Sequence, residues 1–218
     1  MKQYPLQKSK LMLMGVFLLL TTLIQAQTST ITNLNNNFIG GKGVFTDTRD
    51  NHTYSWVRIG TQVWMVENLA FKPATGKYWA FGDTESNVAT YGYLYDWKTA
   101  NKLCPAGWHL PSYTEWDSLV NYLGGSSIAG GKLKEADTTH WDRPNLGATN
   151  ESGFTGLPGC MRDNNGQYSF TGYIGSWWST NQSDFDEATT IALYFNWCSI
   201  FYISENFESG HSVRCIKD

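Results

Sequence analysis

Residues 104–125 read CPAGWHLPSYTEWDSLVNYLGG, the clearest structural pattern in the chain and the one that decides the fold. Ser112 followed three residues later by Glu115 is the pattern of a capping box, in which each residue accepts a hydrogen bond from a free amide at a helix N-terminus. The apolar residues that follow recur at the i, i+3, i+4, i+7 spacing of one helix face, and two glycines then give a stop. The stretch predicts one main capped helix over residues 112–123. Its apolar face comprises Trp116, Leu119, Val120 and Leu123.

Outward from this helix, short strand-like segments alternate with turns. A β-meander is predicted ahead of the helix, because apolar and aromatic residues alternate between short turn sequences. The sequence therefore predicts an α+β fold with short antiparallel sheets, one main helix and long loops. The predicted segments are strands at 44–47, 54–59 and 62–66, a polar loop at 72–90, a short helix at 96–102, a hairpin turn at 164–166, and strands at 191–197 and 212–216.

The N-terminus has the composition of a secretory signal. Three lysines precede an apolar run over residues 11–24, and Ala26 supplies a small residue at the expected cut. The run is short for a membrane span, which needs about 20 apolar residues, so an uncleaved anchor is the weaker alternative. We expect a signal peptide at 1–26, a Thr/Asn-rich flexible leader at 27–42 and one domain at 43–218. The mature chain is then expected outside the cytoplasm, in the periplasm, on the cell surface or secreted.

Charge and composition limit the partners of the mature chain. Removal of residues 1–26 takes away three of the 16 basic residues and none of the 19 acidic ones, leaving 13 against 19 and a net charge of −6. That balance gives no electrostatic footprint for nucleic acid or an anionic membrane. The ten Trp, twelve Tyr, eleven Phe and 21 Gly residues favour a loop-rich fold stabilised by aromatic packing.

The expectation of export also determines how the four cysteines are interpreted. An even number of cysteines behind a signal peptide indicates two disulfides, and the residues alone leave three pairings open. None of the four has metal-ligand spacing. They are Cys104, Cys160, Cys198 and Cys215.

Seven blocks of the sequence occur in this order: IGTQVWMVENL (59–69), YGYLYDW (91–97), CPAGWHLPSYTEW (104–116), GKLK (131–134), GFTGLPG (153–159), WWS (177–179) and SVRC (212–215). Together they resemble the Fibrobacter succinogenes major paralogous domain family. The similarity covers about 43–218, nearly the whole mature chain. It implies a bacterial extracytoplasmic domain of largely undefined activity, with kinship to the C-type-lectin-like fold and the formylglycine-generating-enzyme fold.

The resemblance also implies a disulfide pairing. In lectin-like folds the cysteine ahead of the first helix bonds to the cysteine on the last strand, which pairs Cys104 with Cys215. Cys160 and Cys198 then remain to form a second bridge, as an addition local to this chain.

Catalytic and metal motifs are not legible. The paired copper-binding cysteines of a formylglycine-type oxidase have no matching positions here. Lectin calcium sites use a Glu/Gln-Pro-Asn/Asp loop and a Trp-Asn-Asp strand, whereas residues 143–145 read RPN and residues 196–198 read NWC. No Ser-His-Asp arrangement is apparent, and His109 is expected to be packed in the core. We therefore predict no catalytic residue, metal or cofactor.

The remaining candidates are aromatic and amide side chains on predicted loops, because such residues give contact area and polar direction together. Trp177 and Trp178 are expected in the core instead. These features favour an exported, non-catalytic binding module for a glycan or a cell-surface protein. An enzyme related to formylglycine-generating oxidases and a structural component of the cell envelope are the alternatives. The ligand-binding candidates are Trp141, Asp142, Arg143, Tyr168, Asn181, Asn196 and Trp197.

Overall fold

The computed structural model describes residues 39–169 and 171–218. The predicted signal peptide at 1–26, and the predicted leader as far as residue 38, lie outside these residues. Among the described residues, no helix is both long and apolar enough to span a bilayer.

The described chain has mixed helix and strand content, as predicted. Its strands are β1 (Ile39–Thr46), β2 (Thr53–Ile59), β3 (Gln62–Met65), β4 (Tyr78–Ala80), β5 (Tyr93–Tyr95), β6 (Trp108–His109), β7 (Ile174–Asp184), β8 (Glu187–Tyr194), β9 (Ile200–Asn206), β10 (His211–Ser212) and β11 (Ile216–Lys217). Its α-helices are α1 (Val88–Tyr91), α2 (Trp97–Ala100), α3 (Tyr113–Tyr122) and α4 (Ser126–Leu133), and two 3-10 turns span Phe81–Asp83 and Glu85–Asn87.

The strands form two sheets. The first has the order β1-β2-β3-β11-β6 and contains the predicted meander, which is confirmed. The second has the order β4-β5-β10-β7-β8-β9. Neighbouring strands of the second sheet run antiparallel, apart from β10 and β7, which pair in parallel where Ser212 lies opposite Trp177. The architecture is α+β with mainly antiparallel sheets.

The main helix follows its sequence closely. The Ser112 hydroxyl accepts the Glu115 amide at 3.3 Å, and the Glu115 carboxylate accepts the Ser112 amide at 2.8 Å. Both halves of the predicted capping box are therefore present. The predicted apolar face is buried, and the indole of Trp116 packs 4.6 Å from that of Trp64.

Several elements differ from the prediction. β1 begins at Ile39, inside the predicted leader, because its residues pair with β2. The predicted polar loop at 72–90 contains β4, both 3-10 turns and most of α1. The predicted strand at 191–197 is β8, which ends at Tyr194. The long strand β7 is the largest departure, because only turns and short strands were expected in this part of the chain.

Helix α4 was missed because Gly130 and Gly131 lie inside it, where glycine is unfavourable. Packing explains both residues. A Cβ on Gly130 would lie 2.3 Å from the Ser199 carbonyl oxygen, and a Cβ on Gly131 would lie 2.3 Å from the Gly147 carbonyl oxygen. The two glycines let α4 approach the backbone of its neighbours directly.

One of the two predicted disulfides is present. Cys104 and Cys215 are bonded across 111 residues of chain. Cys160 and Cys198 are free thiols, so the expected second bridge is wrong. The two residues occupy different surroundings: the Cys160 sulfur lies 2.9 Å from the Ser169 hydroxyl, whereas the Cys198 sulfur lies against Gly147.

A candidate ligand-binding surface

The most developed surface feature surrounds the connection between β8 and β9. Beneath it lies Lys134, which directly follows α4 and is fully buried. Its ammonium donates hydrogen bonds to the carbonyl oxygens of Leu146 (3.0 Å), Tyr194 (3.0 Å) and Trp197 (2.9 Å). Burial lowers the pKa of Lys134 to about 8, so the group is mostly charged at neutral pH. One buried cation thus holds three chain segments together.

Aromatic side chains gather around this fixed backbone. The rings of Tyr173 and Phe195 lie 4.6 Å apart, and those of Trp197 and Phe201 lie 6.0 Å apart. Tyr173 is 41% exposed and Trp197 is 53% exposed, although both are large apolar groups that proteins usually bury. Exposed aromatics on a rigid turn are typical of a recognition surface.

The loop at 142–146 lies against the same hairpin. The Asp142 amide donates to the Gly172 carbonyl at 3.0 Å, and the Leu146 amide donates to the Phe195 carbonyl at 2.7 Å. The backbone of this loop is therefore bonded to Gly172, next to Tyr173, and to Phe195. We call the assembly the hairpin-end surface. It comprises Asp142, Arg143, Leu146, Tyr173, Phe195, Asn196, Trp197 and Phe201.

Four of the seven predicted candidates belong to this surface: Asp142, Arg143, Asn196 and Trp197, all of which are exposed. Trp141 does not, because it is not exposed. Its side chain is buried, its indole nitrogen donates to the Gly156 carbonyl at 2.9 Å, and the Lys134 ammonium lies 5.5 Å from its ring centre.

The other two candidates lie elsewhere and have local partners. The Tyr168 hydroxyl donates to the Asp83 carboxylate at 2.6 Å, and its ring packs on Phe81. The Asn181 side chain accepts the Tyr113 amide at 2.6 Å, at the start of α3. Nothing in these contacts connects either residue with the hairpin-end surface.

Two of the histidines, His109 and His211, have contrasting surroundings. His109 is not the packed core residue that was expected: its side chain is 41% exposed and lies between Asp218 (2.6 Å) and Glu115 (2.8 Å). Burial alone would lower the pKa of His109, but the hydrogen bonds to Asp218 and Glu115 outweigh it and raise the pKa. This pair of contacts fastens the chain end to the start of α3.

His211 differs from His109 in its burial and in the direction of its pKa shift. Its ring is fully buried, lies 4.4 Å from the Trp178 ring and hydrogen-bonds the Ser176 hydroxyl at 2.8 Å. Burial lowers its pKa to about 3, so the ring is neutral. A substrate has no access to this Ser-His pair. In the part of the chain that the structure describes, no group of three or more His, Cys, Asp or Glu side chains is placed to hold a metal ion.

Comparison with known families gives one match. The sequence model of the Fibrobacter succinogenes major domain matches residues 57–217. This chain belongs to that family. The comparisons with curated proteins and with solved structures return no match.

The blocks that carry the family resemblance converge on one buried guanidinium. Arg214 donates to the Asn68 side-chain oxygen from Nε (3.1 Å) and Nη2 (2.7 Å), and from Nη1 to the Phe154 carbonyl. The Trp177 indole donates to the same Asn68 oxygen at 2.8 Å. Four family blocks therefore meet at Arg214, and the core positions expected for Trp177 and Trp178 are confirmed.

The hairpin-end surface depends on residues that the sequence interpretation did not single out. Lys134 lies in the family block at 131–134, but nothing in its local sequence indicates a buried ammonium. Tyr173, Leu146 and Phe201 reach the surface through contacts between segments far apart in the chain. The adjacent Asn196 and Trp197 were the signal available from sequence, although they lay within a predicted strand.

Proposed function

We propose that this protein is an exported, non-catalytic binding module that recognises a glycan through the hairpin-end surface. The observation that carries the proposal is the half-exposed Trp197 indole, next to Asn196, on a turn whose carbonyl groups are held by Lys134. Aromatic faces pack well against the apolar faces of sugar rings, while amide and charged groups bind hydroxyls.

Rigidity supports the same proposal. The carbonyl oxygens of Tyr194 and Trp197, on either side of the turn, both accept from Lys134, so binding costs little ordering of the backbone. Asp142 and Arg143 add polar groups on a second, hydrogen-bonded loop. Such a surface combines stacking with directional contacts, as a weak saccharide site requires.

The proposal includes location and fold relationship. The signal-like composition of residues 1–26 supports export from the cytoplasm. The disulfide between Cys104 and Cys215, together with the capped helix α3 that follows Cys104, supports a C-type-lectin-like fold. An experimental structure and a cell-fractionation assay test these two points.

A glycan array with the exported protein tests the proposed ligand class. Binding to at least one saccharide is expected, and Trp197→Ala should weaken it about tenfold through the loss of one stacking contact. Phe185→Ala is the matched control, because Phe185 is also an exposed aromatic residue but lies between β7 and β8. Equal losses in both variants contradict the proposal. If no glycan on the array binds, and the protein instead captures a defined surface protein through Trp197, the ligand is a protein and not a glycan.

A further inference from the structure

A second surface feature is a cavity of about 660 Å³, within the range of small-molecule sites. We call it the basic pocket. Four cations line it, although the protein as a whole is acidic. They are Arg49, Lys77, Lys98 and Lys102.

Arg49 is fixed in place by its neighbours. Its guanidinium makes two-atom contact with the Asp47 carboxylate, through Nε at 2.9 Å and Nη2 at 2.6 Å, and Nη1 donates to the Leu103 carbonyl at 2.7 Å. It also lies 3.9 Å from the centre of the Phe71 ring. Because a guanidinium carries five N–H groups, these contacts leave N–H donors for a ligand. A planar fork held in this way suits an oxyanion.

The charges of the pocket are only partly compensated. Arg49 is paired with Asp47, and Lys77 is paired with Glu208. Among the described residues, Lys98 and Lys102 form no ion pair, and Lys98 acts on Glu208 only as a more distant charge. Two cations are thus available to a ligand.

The acidic groups that line the pocket are already engaged. The Glu208 carboxylate pairs with Lys77. The buried Asp96 carboxylate accepts the Thr99 amide at 3.0 Å and caps α2. The cap leaves the Asp96 carboxylate in the lining, so four basic groups face three acidic ones, Asp47, Asp96 and Glu208, and the balance of formal charges is +1.

The part of the lining around Gly76 is also held by contacts with α2. The Lys77 amide donates to the Thr99 hydroxyl at 3.0 Å. Gly76, with φ +103°, lies so close that a Cβ there would be 2.2 Å from the same hydroxyl oxygen. The segment around Gly76 is therefore packed on α2.

From these contacts we propose that the basic pocket binds a small organic anion of about monosaccharide size. Lys98 and Lys102 would supply the net attraction, Arg49 would orient a carboxylate, sulfate or phosphate group, and Phe71 would face the apolar part of the molecule. The site shares no residue with the hairpin-end surface. The proposed anion binding can therefore be tested independently of the proposed glycan recognition at the hairpin-end surface.

Backbone amide NMR shifts of the exported protein test the proposal with glucuronate, inorganic phosphate and neutral glucose as probes. Glucuronate and phosphate should shift the amides of residues 75–77 and 98–103, and the shifts should weaken as salt is added. Glucose should leave them unchanged. Equal shifts with glucose, or none with either anion, would overturn the proposal.

The double variant Lys98→Ala/Lys102→Ala should weaken glucuronate binding about tenfold, since two partly exposed charges are lost. Lys42→Ala/Lys217→Ala is the matched control, because it removes the same charge from exposed positions outside the pocket. Both lysine pairs are exposed, so dispersed spectra should confirm that each variant folds. An equal loss in the control would show attraction to the whole protein and would refute a site in the basic pocket.

Discussion

At the scale of single residues, His211 links folding to pH. The unfolded chain binds a proton at this histidine below its ordinary pKa of 6.5, whereas burial lowers the folded pKa to about 3. The contribution of His211 to stability is therefore fully present above pH 6.5 and is lost as the pH drops from 6.5 toward 3. The loss reaches roughly 5 kcal/mol, since each pKa unit corresponds to about 1.4 kcal/mol.

Urea unfolding between pH 7 and pH 4 measures this effect, with His211→Asn compared with the original protein. The variant should be less stable at pH 7, because it loses the ring contact with Trp178, but its stability should decline less steeply. His52→Asn removes an exposed histidine and should keep the original slope. An unchanged slope in His211→Asn would rule out the buried ring as the source.

At the scale of elements, Lys134 joins the end of α4 to the hairpin formed by β8 and β9. Lys134→Met keeps the length of the side chain and removes the ammonium, so three carbonyl groups lose their donor. We expect the free energy of unfolding to drop by about 3 kcal/mol. Hydrogen exchange should also become faster over residues 195–200.

The neighbouring Lys132 gives a close control. It forms a partly exposed ion pair with Glu151 at 2.8 Å, and pairs near the surface contribute less than about 1 kcal/mol. Lys132→Met should therefore leave the exchange of the hairpin unchanged. If Lys132→Met lowers the free energy of unfolding as much as Lys134→Met does, the three hydrogen bonds of Lys134 have no special role.

The helices α3 and α4 differ in how far their sequences predict them. The start and end of α3 are encoded within residues 112–125, by a capping box and two glycines, so the local sequence was sufficient to predict them. Helix α4 was not predictable in this way, because Gly130 and Gly131 are explained only by the backbone that packs on them. Trp197 was a candidate from its neighbours in sequence, whereas Lys134 acquires its role only when three distant segments meet.

At the scale of the whole molecule, Arg214 and Cys215 bring both sheets and the main helix together. Arg214 follows β10 of the second sheet, and Cys215 precedes β11 of the first. The disulfide of Cys215 with Cys104 links this connection between the two sheets to the segment before α3. Residues that serve as the family signature thus act in folding, so family membership constrains the core more closely than the ligand.

One disulfide and two free cysteines predict a specific count of free thiols. Denatured, non-reduced protein should carry two free thiols, from Cys160 and Cys198, and four after reduction. Reduction should lower the free energy of unfolding by up to about 4.7 kcal/mol, the chain-entropy value for a loop of about 100 residues. Cys160→Ala/Cys198→Ala should respond to reductant as the original protein does, whereas Cys104→Ala/Cys215→Ala should not respond. A count of no free thiols before reduction would restore the second bridge, and a count of four would remove the first. A count of no free thiols would also change the chemistry next to Trp197, because Cys198 is its immediate neighbour and lies against Gly147.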